Sequence, residues 1–178
     1  IPFTGFRNLF LQANGGETQY DAVRFSLQKR YSHRYTLQAN YTYGQSRGTV
    51  DNFRLTESFV PGLTEADGDR SYQQARSNSD TPHVFALSGI VEIPFEIRVG
   101  GILFARSGFP YTGVAGFDAD GDGVTGGSYG DRPASLKRNS FRRPAFATLD
   151  LSVAKTVTLH GTHKIEVRAD VFNVTNRK

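Results

Sequence analysis

The chain is predicted to be all-β, an antiparallel up-and-down transmembrane β-barrel of which it forms an incomplete fragment of about six strands. Three observations predict this. Residues Arg34 to Tyr43 carry an apolar or aromatic side chain at every odd position and a polar one at every even position. Successive side chains of a strand point to opposite faces, so this strand meets an apolar medium on one side and water on the other. Further segments repeat the alternation over about ten residues each, the length a tilted strand needs to cross a bilayer core. The connections between them alternate short and long, which sends all long loops to one end, as in outer-membrane barrels with tight periplasmic turns and extended outer loops.

The first strand is expected over 20–29, where Val23, Phe25 and Leu27 oppose Ala22, Arg24, Ser26 and Gln28. A short turn leads into the second, 34–43. Residues 44–80, rich in Gly, Ser, Asp and Arg, show no sustained period and form the first long outer loop. The third strand, 83–92, has Phe85, Leu87 and Val91 on one face but Val84, Ala86 and Ile90 on the other, so its facing stays open. After a turn at Ile93-Pro94, the fourth runs over 95–106. Phe95, Ile97, Val99, Leu103 and Ala105 oppose Glu96, Arg98 and Arg106, with Ile102 and Phe104 as exceptions on the polar side. The second long outer loop is 107–145. In the fifth strand, 147–156, Leu149, Leu151 and Val153 alternate with Thr148, Asp150 and Ser152. A turn containing His160 and Gly161 leads to the sixth, 163–173, where Ile165, Val167, Ala169 and Val171 oppose Lys164, Glu166, Arg168 and Asp170. Aromatic residues near strand ends, Tyr20, Tyr41 and Tyr43 outside and Tyr31, Tyr35 and Phe95 inside, are expected as interfacial girdles.

Composition is compatible with this architecture. A mean hydropathy of -0.42 over 178 residues averages a lipid face with a wet one, which hides the former. No apolar run reaches the roughly 20 residues of a membrane helix. Cys 0 excludes disulfides and thiolate metal sites, and Met 0 suggests a piece of a longer polypeptide. Further strands are expected on both sides, because an open sheet leaves edge amides without partners in lipid. The charge of +4 is spread among acids with no recognition module, so no nucleic-acid partner is expected. No nucleophile elbow, HExxH or phosphate-cradling loop occurs, and the chain is not expected to be an enzyme.

Several motifs point to a family. Tyr20-Asp21-Ala22-Val23 through Gln28-Lys29-Arg30, followed by Tyr41-Thr42-Tyr43, resembles the barrel repeats of TonB-dependent outer-membrane receptors, particularly those carrying a carboxypeptidase-regulatory-like domain. The C-terminal half is similar in the order of Ser107-Gly108-Phe109-Pro110-Tyr111, Asp131-Arg132-Pro133, Arg138-Asn139-Ser140, Pro144, Leu149-Asp150-Leu151 with Lys155, and Val171-Phe172-Asn173-Val174 with Asn176. The resemblance implies the wall and outer loops of a bacterial outer-membrane receptor that imports a scarce large solute such as a siderophore or oligosaccharide. It further implies coupling to the TonB complex through a plug domain that these residues do not contain.

On this reading Arg24, Arg34, Gln38, Asn40, Arg98, Asp150, Glu166, Arg168 and Asp170 line a wet lumen, and outer-loop residues Arg70, Tyr72, Arg138 and Arg142 are candidate ligand contacts. Arg138, Arg142 and Arg143 with Lys137 form a basic cluster suited to lipopolysaccharide or an acidic ligand. Asp118, Asp120 and Asp122 alternate before Gly123 like the front half of a calcium loop, but position twelve is Tyr129 rather than the bidentate acid. No other cofactor is expected. His160 and His163 read as turn residues. Two other classes stay open: a passive porin or surface adhesin barrel, and a soluble calcium-dependent carbohydrate-binding β-sandwich whose apolar faces bury against each other.

Overall fold

The computed structural model describes residues 17–49, 74–117, 133 and 135–176. Its strands, in chain order, are β1 (Thr18–Ser32), β2 (Tyr35–Gly48), β3 (Ala75–Arg76), β4 (His83–Ile93), β5 (Ile97–Arg106), β6 (Pro110–Tyr111), β7 (Phe141–Arg142), β8 (Phe146–Thr158) and β9 (Lys164–Val171). One sheet runs β1-β2-β4-β5-β8-β9, with β3 pairing the outer end of β2. All its pairs are antiparallel and the six long strands follow one another in chain order, the meander that the short and long connections predict. The sheet is open, with β1 and β9 as its edges.

Register settles the facing that alternation leaves ambiguous. Phe25 pairs Tyr41, which pairs Phe85, which pairs Ala105, which pairs Ala147. One level in, Leu27, Ala39, Leu87, Leu103 and Leu149 continue the same row, and at the far side Leu151 pairs Val171 and Val153 pairs Ala169. Odd-numbered side chains of every wall strand therefore share one apolar face. This assigns Phe85, Leu87 and Val91 of β4 to that face, and Val84, Ala86 and Ile90 to the opposite one.

The apolar face has no protein cover. Phe25 is 63% exposed, and the only buried apolar side chains among those described are Ala75, Pro110 and Ala154. The other sheet is the two-stranded β6–β7 ribbon, far too small to form the second layer of a sandwich. A face this apolar left uncovered requires a nonaqueous medium. The soluble sandwich is thereby corrected: its leucines would interleave with a facing sheet, and here they do not.

Three tight turns lie at one end. His33 and Arg34, at φ 53 and 66, form the two-residue loop between Ser32 and Tyr35, the mirror-image turn geometry that matches strand twist. Pro94 to Glu96 closes β4 onto β5, with Phe95 and Glu96 at φ 69 and 57. Residues 159–163 close β8 onto β9, and Gly161 there takes φ 75. Two expected boundaries change as a result. β2 starts at Tyr35 rather than Arg34, and β5 at Ile97 rather than Phe95, because left-handed backbone cannot continue a strand. At the other end β1 and β2 run on to Thr18 and Gly48, shortening the first long loop from the expected 44–80. Short pairings of β3, β6 and β7 also interrupt what the sequence shows only as loops.

Candidate functional site

The even-numbered face carries the polar side chains. Arg24, Gln38, Asn40, Arg98, Asp150, Glu166, Arg168 and Asp170 all belong to it by register: Gln38 pairs Ser88, Arg98 pairs Ala154, which pairs Arg168, and Ser152 pairs Asp170. Arg34, expected among them, sits instead in the turn, and its carbonyl accepts a hydrogen bond from the Glu92 amide at 2.7 Å. The sheet curls around this face, leaving a concavity of about 450 Å³ lined in part by Gln38, Ser88, Arg98, Asp150, Glu166 and Arg168.

Its charges are largely paired with one another. Arg98 reaches across β8 to Glu166, and Arg168 meets Asp170 at 2.9 Å. Asp150 accepts the Asn173 amide at 2.7 Å, which ties the chain beyond β9 back onto β8. On the other flank Arg24 and Ser26 both donate to Asn40 Oδ1, at 3.0 and 2.8 Å. Near the turn end of the same strands Tyr31 donates to Glu92.

Between these polar flanks runs an apolar stripe. Ala86 pairs Phe104, Val84 stands diagonal to Phe104, and Ile102 pairs Ser88 between Ala86 and Ile90. Phe146 continues the stripe, its ring 6.4 Å from that of Phe104. Ile90 and Ile102 are 47% and 56% exposed. The exceptions noted in β4 and β5 are thus one patch on the inner face.

Aromatic side chains near the outer end divide between the faces. Phe25, Tyr41, His83 and Tyr43 form a lipid-side row of ring contacts, with the Tyr41 hydroxyl 2.8 Å from His83 Nδ1. Tyr20 departs from the expected girdle. It lies on the even face over Gly44, where an added Cβ would stand 2.9 Å from the Tyr20 hydroxyl. Tyr31 also departs, since a register shift between Lys29 and Ser32 turns it toward Glu92. Near the turns Lys29 lies 3.7 Å from the Tyr35 ring centroid and donates to Ser32, the charged edge of the apolar band.

Above the wall the outer loops are braced by buried polar side chains. Asp80, 3% exposed, accepts from the Ser46 amide at 2.8 Å and from Arg142 at 2.6 Å. Arg142 also donates to the carbonyls of Asp80 and Gly108, both at 2.7 Å. Arg138, 5% exposed, donates to the Gly48 carbonyl at 2.7 Å. Asn139, 2% exposed and at φ 59, donates through Nδ2 to Arg76 O and Asn78 Oδ1. Gly108 permits the closest approach, because a Cβ there would fall 1.8 Å from Arg143 O. Arg138 and Arg142 are therefore not the exposed ligand contacts that their sequence cluster suggests. Their guanidinium groups satisfy loop carbonyls and Asp80, while Lys137 and Arg143 stay exposed. The importance of Asp80 is invisible in the sequence, because its partners lie far along the chain.

The residue ranges 1–136 and 125–178 match the family model for an outer membrane beta barrel domain. The chain belongs to that family. No curated protein and no solved structure matches it. The barrel's place is the bacterial outer membrane, so its odd-numbered face is the lipid face and the even-numbered face the lumen side. Among its described residues no group of three or more His, Cys, Asp or Glu side chains comes together to hold a metal ion. The candidate calcium residues Asp118, Asp120 and Asp122, and the candidate ligand contacts Arg70 and Tyr72, lie outside the described residues. His160 stands in the β8–β9 turn, and the His163 carbonyl closes it by accepting the Leu159 amide at 2.8 Å.

Proposed function

We infer that the chain is part of the barrel wall of a TonB-dependent outer-membrane transporter, completed by further strands and filled by a plug domain. The apolar stripe on the lumen side carries this reading. Val84, Ala86, Ile90, Ile102, Phe104 and Phe146 are contiguous, with Ile90 and Ile102 exposed and the other four half-buried, on a face that a passive porin keeps polar against its water channel. Apolar surface of this kind is stable when another protein segment lies against it. The polar flanks then hydrogen-bond to that segment or to the passing solute. The barrel's role is binding and passage, with no covalent chemistry and no resident cofactor. Its partners are lipid and lipopolysaccharide around it, the TonB complex through the plug, and a scarce solute captured at the outer loops. The ordered motifs from Ser107 to Asn176 support the same family.

Electrical conductance of the full-length protein in a planar bilayer tests this reading. A plugged transporter shows no steady open-pore current in salt, and Ile102→Asp together with Phe104→Asp raises the current by loosening the plug. A steady ohmic pore in the unmodified protein overturns the transporter in favour of a porin.

A further inference from the structure

We propose that the β6–β7 ribbon is a binding platform for an acidic saccharide at the mouth of the lumen. Tyr111 and Phe141 pair directly across the ribbon, with ring centroids 5.5 Å apart and planes 24° apart. They are 44% and 43% exposed. Two stacked aromatic rings half uncovered on a loop leave their outer surface open to a ligand.

The platform is built rather than incidental. Arg142 fixes β7 to Asp80 and Gly108, the Arg143 amide donates to Phe109 O at 2.9 Å, and the Asn139 amide donates to Thr112 Oγ1 at 3.0 Å. The rings are thus held before any ligand arrives, which lowers the ordering cost of binding. A concavity of about 560 Å³ opens beside them, lined by Tyr111, Thr112, Arg142, Arg143 and Pro144.

Charge and position select the occupant. The described residues of 107–117 and 135–146 include Lys137, Arg138, Arg142 and Arg143 and no acid. Arg142 is matched by Asp80, leaving Arg143 as an exposed cation in the same concavity as Tyr111, with Lys137 a further exposed cation four residues before Phe141. An anion that also presents a flat face is complementary to this surface, and hydroxyl groups suit the Tyr111 phenol and the Thr112 hydroxyl in the same concavity. A carboxylated sugar meets all three demands: ring C–H groups against the aromatic faces, carboxylate to Arg143 or Lys137, and hydroxyls to Tyr111 and Thr112. The loop that carries the platform leaves the wall from the lumen side. Arg106 belongs to the even face, and the Phe109 ring that opens the loop lies 3.9 Å from its guanidinium carbon. A solute held here is poised to enter the barrel, whereas lipopolysaccharide packs around the outside.

The direction of passage rests on the transporter reading, but binding at the platform does not, so a failed conductance result and a failed binding result are distinguishable. Calorimetric titration of the detergent-solubilised full-length protein with oligogalacturonate tests it. Oligogalacturonate binds, and neutral galacto-oligosaccharide and ring-free polyglutamate each bind at least about tenfold more weakly. Tyr111→Leu, Phe141→Leu and Arg143→Gln each weaken oligogalacturonate binding about tenfold, and Tyr111→Phe, which keeps the ring and loses only the phenol hydrogen bond, weakens it less than Tyr111→Leu, with heat-modified gel mobility reporting that every variant still folds. Absence of oligogalacturonate binding overturns the proposal. So does polyglutamate binding of equal strength, which reduces the site to unspecific charge, or affinity untouched by all three weakening substitutions.

Discussion

The barrel wall and the outer-loop brace solve the same problem with opposite materials. In the wall, large apolar side chains such as Phe25 and Val167 stay uncovered by protein, and order comes from a continuous antiparallel hydrogen-bond ladder with lipid as the apolar partner. In the brace, Asp80, Arg138 and Asn139 are almost fully buried, and order comes from charge-assisted hydrogen bonds between segments distant in sequence. A wall of this kind tolerates change on its wet face and resists charge on its greasy one. A brace of this kind fails when either partner of a buried pair is removed.

Breaking the brace is expected to have the larger effect. Arg142→Ala leaves the Asp80 carboxylate buried without its cation and strips donors from two carbonyls, a loss of about 3 to 5 kcal/mol for a buried pair. The cost falls on the outer loops, where limited proteolysis should cut quickly while heat-modified gel mobility still reports an intact barrel. If the barrel itself unfolds, the two regions are one cooperative unit and the comparison fails.

A charge on the lipid face comes next. Leu87→Arg or Leu103→Arg, paired with each other midway along the wall, is expected to cost on the order of 2 to 4 kcal/mol, while Ser88→Arg, one residue along on the opposite face, is tolerated. Denaturant unfolding of the full-length protein in lipid vesicles measures the difference. Equal cost at Leu87 and Ser88 contradicts the facing that register assigns.

The smallest effect is expected on the lumen side. Arg98 and Glu166 are paired but each about half exposed, so Glu166→Gln costs below about 1 kcal/mol and the loss shrinks as salt rises. A salt-independent loss of several times that size would mean that the pair is desolvated in the complete protein, which itself favours a filled lumen.

Much of the wall was legible from alternation alone. A period of two is a local property, so Val23-Phe25-Leu27 and Ile165-Val167-Ala169 announce their faces without reference to any neighbour. β4 could not be read this way, since Val84, Ala86 and Ile90 are as apolar as Phe85, Leu87 and Val91. Only pairing with β2 and β5 decides which set meets lipid. The turns at Arg34 and Phe95 begin a residue or two inside the alternating pattern, because neither residue type advertises a left-handed backbone. The basic cluster was legible as charge but not as direction.

The sequence by itself therefore determined that this protein is a strand-crossing wall with long loops at one end, because side-chain alternation and connection length are written along the chain. Tertiary structure alone decided which face of β4 and β5 is wet, that an apolar stripe runs down the lumen side, and that Arg138 and Arg142 brace loops while Tyr111 and Phe141 stay uncovered. Those outcomes depend on register and on contacts such as Arg142 with Asp80, 62 positions apart, and no local pattern encodes which distant groups will meet.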